Sequence, residues 1–328
     1  MIVKPIEYPY RALQLEALIS RINKNHVSIP SINQDYQLIM AGYRGELAVD
    51  YPLSFLPDDE YYILHDLRLW EGKHFFQIDI LILHAQYALI LEVKNIVGEI
   101  FLDTDLHQMI RVKDNETTSF ADPILQVNRL KKQLTTLLIN AHFPNIPIYT
   151  LVVFSNTKSI LRLSPSQIKT YKNTVIHKEY LPELIPNLTP THADTILLPD
   201  ILKKLIKFLK KKHAPLDSAI LEKYKVQLGE IITGVRCEKC NQYSMEKGRI
   251  SWSCRKCLHK TTEAVLPALR DYYFLFGDKI TNREIRSFLQ LDSKYVAFRI
   301  LKRLNLKAIG VGKSTVHLLH LKLFKEVK

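Results

Sequence analysis

Two apolar runs in this chain carry acids where a strand tolerates them least. Gln77-Ile78-Asp79-Ile80-Leu81-Ile82-Leu83 alternates with period two, and an aliphatic run from Tyr87 ends in Glu92-Val93-Lys94. Both read as strands, and alternation puts Asp79, Leu81 and Leu83 on one face. Residues two apart leave the same face of a strand, so Glu92 and Lys94 project together. Burying an Asp, a Glu and a Lys at the ends of such strands is expensive unless something compensates them. A divalent cation held through carboxylate oxygen would do so, with the ammonium placed beside an attacked phosphate or an attacking water.

The flanking segments sharpen this reading. Upstream, Gly42-Tyr43-Arg44-Gly45-Glu46-Leu47 opens a helix that continues through Val49 and Leu53; downstream, Asp122-Pro123-Ile124-Leu125-Gln126 starts another. The ordered set of Gly-Glu helix, Asp strand, Glu-x-Lys strand and Pro-x-x-Gln helix resembles the PD-(D/E)XK nuclease superfamily, and within it the nuclease-related domain, NERD. The resemblance covers roughly residues 42–156. It departs from the superfamily pattern at the leading dipeptide, which is Ile78-Asp79 rather than Pro-Asp.

The resemblance implies an α/β fold, a restriction-endonuclease-like mixed sheet flanked by helices, and catalytic roles for Glu46, Asp79, Glu92, Lys94 and Gln126. Asp79 and Glu92 would bind the metal. Glu46 would complete that site or serve a second ion, and Gln126 would point back to the catalytic strand. Every proposed ligand is an oxygen, so Mg²⁺ (or Mn²⁺) fits better than Zn²⁺. His84, just past the Asp79 strand, reads as a strand-end surface histidine rather than a general base.

All four cysteines fall in one short window, as Cys237-Glu238-Lys239-Cys240 and Cys254-Arg255-Lys256-Cys257. Two Cys-x-x-Cys knuckles can wrap a tetrahedral Zn²⁺, although their spacer is slightly shorter than the roughly 15–20 residues usual for such pairs. Its composition suits a hairpin turning at Gly248, with Tyr243 before the turn and Ile250 and Trp252 after it. The competing reading is a pair of disulfides. No signal-peptide pattern opens the sequence, which favours thiols and predicts a cytoplasmic protein. The segment resembles the zinc ribbons appended to topoisomerases, where such closed sites are structural.

A third unit follows. Thr281-Asn282-Arg283-Glu284 is a capping-box pattern, opening a helix with Ile285, Phe288 and Leu289 at core spacing. A second helix is expected over Lys294 to Leu304, with Val296, Phe298, Ile300 and Leu301 inward. The segment after it reads as a β-hairpin, so the whole looks like a winged helix-turn-helix. Lys294, Arg299, Lys302, Arg303 and Lys313 are its candidate nucleic-acid contacts. A small helical domain for protein contacts has the same pattern. Gly310-Val311-Gly312-Lys313-Ser314 is a turn and no Walker loop, since the required upstream glycine is Lys307.

The expected division is a nuclease-like domain over 1–213, including an N-terminal helix from Tyr10 to Ile22, a linker over 214–234, the zinc ribbon over 235–262 and the winged unit over 263–328. Lys and Arg outnumber Asp and Glu by 46 to 33 in 328 residues, which favours an anionic partner. No apolar stretch reaches the length needed to span a bilayer, and no membrane partner is expected. The basic amphipathic segment from Pro199 to His213 reads as a helix packed on the nuclease domain, with a membrane surface as the alternative. The function implied is a metal-dependent nuclease hydrolysing DNA, its ribbon and C-terminal unit holding the nucleic acid. The alternatives are an inactive nucleic-acid-binding protein on the same fold, or RNA as substrate. Cutting both strands of a duplex would need a homodimer or two successive cuts.

Overall fold

The computed structural model describes residues 1–163, 165–188, 196–215 and 219–324. The chain opens with strand β1 (Ile2–Lys4), helix α1 (Tyr10–Arg21) and the long helix α2 (Ile29–Leu53). Six strands follow: β2 (Tyr62–Trp70), β3 (Phe75–Leu83), β4 (Ala88–Lys94), β5 (Gly98–Asp103), β6 (Gln108–Lys113) and β7 (Glu116–Ala121). Next come α3 (Pro123–Asn140), β8 (Ile148–Phe154), β9 (Ser159–Arg162), α4 (Pro165–Tyr171), β10 (Val175–His177), α5 (Leu181–Leu184) and α6 (Pro199–Lys212). The remainder comprises α7 (Ile220–Lys223), β11 (Met245–Lys247), β12 (Trp252–Cys254), β13 (Lys260–Thr261), α8 (Val265–Phe276) and β14 (Lys279–Thr281). It closes with α9 (Asn282–Phe288), α10 (Lys294–Arg303), β15 (Lys307–Ile309) and β16 (Val316–Leu318). Among these elements, no helix is long and apolar enough to cross a membrane.

Two compact units result: Met1–Pro9 with Leu38–Leu216, and Tyr10–Gln37 with Asp217–Lys328. The first contains a six-stranded mixed sheet in the order β1-β2-β3-β4-β8-β10, antiparallel through β2-β3-β4 and parallel elsewhere. Both faces are covered, which explains why β4 is apolar from Ala88 to Leu91 rather than alternating. On one face Leu81, Leu83 and Ile90 pack with Leu130 and Leu134 of α3 and Leu202, Leu205 and Leu209 of α6. On the other, Ile80, Ile82 and Leu89 pack with Val49 and Leu53 of α2 and Leu181 and Leu184 of α5. The basic helix α6 thus buries its leucines on the sheet, as its pattern predicts. A second sheet, β7-β6-β5-β9, carries a hairpin between β6 and β7 whose Asp114 and Asn115 take the left-handed backbone of a tight turn.

The second unit corrects two expectations. The helix from Tyr10 belongs to the second unit and not to the one that holds the nuclease-like sheet: its Arg21 is fully buried and donates through Nε to Asp271 Oδ2 of α8 at 2.8 Å. Arg21 Nη1 also donates to the Ile232 and Gly234 carbonyls, at 3.0 and 2.8 Å. Its guanidinium lies 4.6 Å from the ring centres of both Tyr243 and Phe288. The segment expected to be a linker is equally committed, with Ile220, Tyr224, Val226 and Ile231 buried. Apolar periodicity shows that a helix has a buried face; it does not show which partner covers that face.

Elsewhere in this unit the local signals hold. The β11–β12 hairpin turns at Gly248, whose amide donates to the Ser251 carbonyl at 2.9 Å. Glu284 N donates to Thr281 Oγ1 at 3.2 Å and Thr281 N to Glu284 Oε2 at 2.7 Å, completing the capping box. Helices α9 and α10 are followed by the β15–β16 hairpin, and β16 pairs with β14. Gly312–Ser314 is a single turn of 3₁₀-helix, as expected of a segment that is no phosphate loop; the Lys313 side chain lies outside the described residues. Phe298 does not point inward. It is 56 % exposed, and Ala297 and Leu301 fill the buried positions of α10.

Candidate functional site

The β3–β4 register sets Asp79 opposite Glu92, next to the paired Ile80 and Leu91. Asp79 Oδ2 accepts the Val93 amide at 2.8 Å, so the carboxylate is tied to the neighbouring strand at the Glu-x-Lys motif. Gln126 comes from the first turn of α3. Asp122 caps that helix by accepting the Ile124 and Leu125 amides at 2.7 and 3.4 Å, and Pro123 starts it without needing a donor. Gln126 Nε2 donates to Glu92 Oε1 at 2.7 Å, while Lys94 Nζ donates to Glu92 Oε1 at 2.7 Å and to Gln126 Oε1 at 3.0 Å. Glu92 is only 4 % exposed, and its Oε2 is buried without a hydrogen-bond partner among the described residues.

Glu46 enters from α2, and Gly45 is what lets that helix come close. A Cβ on Gly45 would meet Asn95 Cβ at 2.5 Å and Ser155 Oγ at 3.0 Å. Asn95, directly after Lys94, fastens the contact by donating to the Ala41 carbonyl at 2.7 Å. Burial and the negative charges of Asp79, Asp66 and Glu92 push the Glu46 carboxyl up to about 9. Asp79 is pushed up to about 8, chiefly by burial and then by Glu92. Lys94 and Lys4 offset only part of this crowding, and a bound cation would offset more.

Sequence reading missed three neighbours. Asp66 falls opposite Asp79 in the β2–β3 register, between the paired Leu64–Leu81, His65–Ile80 and Leu67–Ile78 positions. Its left-handed backbone, φ 46°, interrupts the pairing there, and its Oδ1 accepts Gln77 Nε2 at 2.8 Å. Lys4 of β1 is buried, donates to the His65 and Asp66 carbonyls at 2.7 and 3.0 Å, and draws the Glu46 carboxyl down. Asn95 is the third, and its position beside the Glu-x-Lys motif was the one available signal. His84, expected at the surface, is instead buried against the rings of Tyr61 and Tyr87.

The cysteine cluster is organised differently. Among the described residues, Cys237, Cys240, Cys254 and Cys257 form the one group of three or more Cys, His, Asp or Glu whose ligand atoms all lie within 4.8 Å of one another. The Cys237–Cys257 and Cys240–Cys254 sulfur pairs are both 3.6 Å apart. That is far beyond the roughly 2.05 Å of a disulfide. It is close to the edge of about 3.8 Å that a tetrahedron with Zn–S bonds of about 2.3 Å requires. The Lys256 and Cys257 amides each donate to Cys254 Sγ at 3.4 Å. With the Ser244 hydroxyl as the main cause, such bonds hold the Cys254 thiol down to about 6. The cluster fits a zinc ribbon.

Basic side chains gather near it. Lys294, Arg299, Lys302 and Arg303 are exposed on α10. Lys247 of β11 has its pKa lowered by burial and by Arg299 and Arg303, so the ribbon and α10 share one cationic patch.

A mixed sheet flanked by helices, with an Asp and a Glu-x-Lys on adjacent strands, defines a nuclease-like fold. The family model of the nuclease-related domain, NERD, matches residues 41–155, and this stretch is a nuclease-related domain. No curated protein and no solved structure matched the chain.

Proposed function

We propose that the chain is a Mg²⁺-dependent nuclease acting on DNA. The observation that carries this reading is that Lys94 and Gln126 both donate to one buried oxygen of Glu92, whose Oε2 is left unsatisfied, with Asp79 opposite on β3 and tied to the Val93 amide. Asp79, Glu92 and Glu46 would hold the cation, which supplies Lewis acidity and lowers the pKa of bound water. Lys94, with its side chain 19 % exposed, keeps an ammonium within reach of a phosphate and would offset charge as it builds there. Gln126 fixes that ammonium and orients Glu92. Lys4 and Asn95 are positioning groups, the first for Glu46 and the second for α2.

The four cysteines would hold a structural Zn²⁺, since a site closed by four thiolates leaves no open position for substrate. In this reading α9, α10 and the β15–β16 hairpin form a winged helix-turn-helix. Its Lys294, Arg299, Lys302 and Arg303, joined by Lys247, contact phosphates.

The test is cleavage of supercoiled, linear and single-stranded DNA, and of RNA, with Mg²⁺, Mn²⁺ or EDTA, beside Asp79→Ala. Metal-dependent cutting lost in the variant supports the reading. Binding without cutting, equal in both proteins, favours an inactive binding protein on the same fold.

A further inference from the structure

The β2–β3 hairpin carries a row of side chains from the carboxylates to an aromatic tip. Leu67, Leu69, Phe76 and Ile78 all face the core beneath α3 and α6, so alternation puts Arg68, Trp70, Phe75 and Gln77 on the opposite face. Arg68 pairs with Gln77 and Trp70 with Phe75. Gln77 is bonded to Asp66, whose charge acts on both Glu46 and Asp79, so the row is continuous with the candidate active site. Phe75 lies about 13 Å along β3 from Asp79, at roughly 3.3 Å per residue.

Trp70 and Phe75 are 46 % and 47 % exposed, with ring centres 4.9 Å apart. The hairpin that presents them is pinned. Arg68 N donates to His213 Nδ1 at 3.2 Å, Arg68 Nη1 donates to the Ala214 carbonyl at 3.2 Å, and the Ala214 amide donates back to the Arg68 carbonyl at 3.0 Å. The Arg68 guanidinium rests 3.7 Å from the Phe75 ring centre. At the tip, Glu71 is occupied by the Lys73 and His74 amides, at 3.4 and 2.7 Å, and the Lys73 side chain is exposed.

We propose that this hairpin is the arm by which the active site holds a single strand of nucleic acid, its unpaired bases stacking on Trp70 and Phe75. The proposal rests on the nuclease reading for the direction of the strand, which runs from Lys73 at the tip over the rings and past Arg68 to the carboxylates. Aromatic faces with a cation alongside accept any unpaired base. Bases inside a duplex are already stacked and have nothing to gain from such rings, which is why the occupant is a single strand.

The chain has two tryptophans, the exposed Trp70 and the buried Trp252, so the signal of Trp70 is taken as the difference between the parent and Trp70→Phe. The experiment titrates short oligothymidylate and a blunt duplex into the full chain in EDTA, following tryptophan emission and, with labelled oligonucleotide, anisotropy. EDTA acts on the zinc site as well, so the protein is used only where circular dichroism is unchanged; otherwise Ca²⁺ replaces the chelator. Quenching by the single strand and not by the duplex is expected, with affinity for the single strand falling about tenfold or more in Trp70→Ala/Phe75→Ala. Phe75→Tyr should bind like the parent. Unchanged emission at saturating single strand, equal quenching by the duplex, or undiminished affinity of the double variant would overturn the proposal. Cleavage is not read in this experiment: quenching that persists in a protein unable to cut DNA would sink the nuclease reading and leave the arm standing.

Discussion

The cysteine cluster and the strand carboxylates are both suited to cations, yet they prepare for them in opposite ways. The four sulfurs come from two knuckles of one short segment and already stand near tetrahedral spacing. The carboxylates come from three separate elements, and their groups repel one another while Lys94 and Gln126 occupy Glu92. The first arrangement is one that a metal completes as the segment folds. The second is held in place by a sheet and two helices whatever the metal does, and stays strained until charge arrives. A structural site can be local; a reactive site is assembled by the fold around it.

The largest expected effect breaks the comparison at the cysteines. Cys254→Ser, or exhaustive chelation, should release zinc and unfold the ribbon, a loss on the order of 10 kcal/mol of metal-linked stability. Hydrogen exchange should then rise around residues 237–261 while β3 and β4 stay protected. Loss of protection in both would show the two sites to be equally dependent on metal. At the carboxylates the opposite is expected: Asp79→Asn should lower cleavage by about a thousandfold or more. Its melting temperature should be unchanged or higher, because a carboxyl that burial and Glu92 disfavour ionising is replaced by a neutral amide. A large fall in melting temperature would mean that the carboxylate serves stability.

Acid provides a sharper separation. His65 is fully buried, and burial, then the nearby Lys4, depress its pKa to about 4. The unfolded chain therefore binds more protons between about pH 6.5 and 4, and stability falls as pH drops through that window, by about 3 kcal/mol for this group. Asp50, 3.3 Å away with its pKa raised by burial, works in the opposite sense, so the slope should be compared with and without Asp50→Asn. His65→Asn should flatten it, measured by urea titration at each pH. Gly45→Ala should cost about 1–3 kcal/mol by forcing α2 away from Asn95. It should lower cleavage without touching any charged group. The smallest effect is at the basic patch, where Arg299→Gln should reduce the salt slope of DNA binding by about one.

What the sequence made legible was whatever sits close together in it. Glu92 and Lys94 are two apart on one strand, Asp122-Pro123 announces the helix that presents Gln126, and each cysteine knuckle spans four residues. Asp66 was invisible because its position depends on strand register and on a left-handed backbone at a residue that is not glycine. Lys4 was invisible because a short parallel strand at the sheet edge carries little pattern. Phe298 misled because an amphipathic reading takes an aromatic to be core, whereas Ala297 and Leu301 already fill the inner face of α10.

The buried Arg21 also sets an order of events during synthesis. Its acidic partner, Asp271, leaves the ribosome 250 residues later, and the Ile232 and Gly234 carbonyls 211 and 213 residues later, with the Tyr243 and Phe288 rings also far downstream. Until then α1 has a charged group it cannot bury, and it must wait in water. The sheet around Asp79 and Glu92 is complete in sequence by His177, before any of these partners, and can close while the rest is still being made. A ribosome stalled after α6 would therefore display a finished nuclease-related domain tethered to an unfinished helix, and exposed α1 would mark such chains for chaperones or proteases.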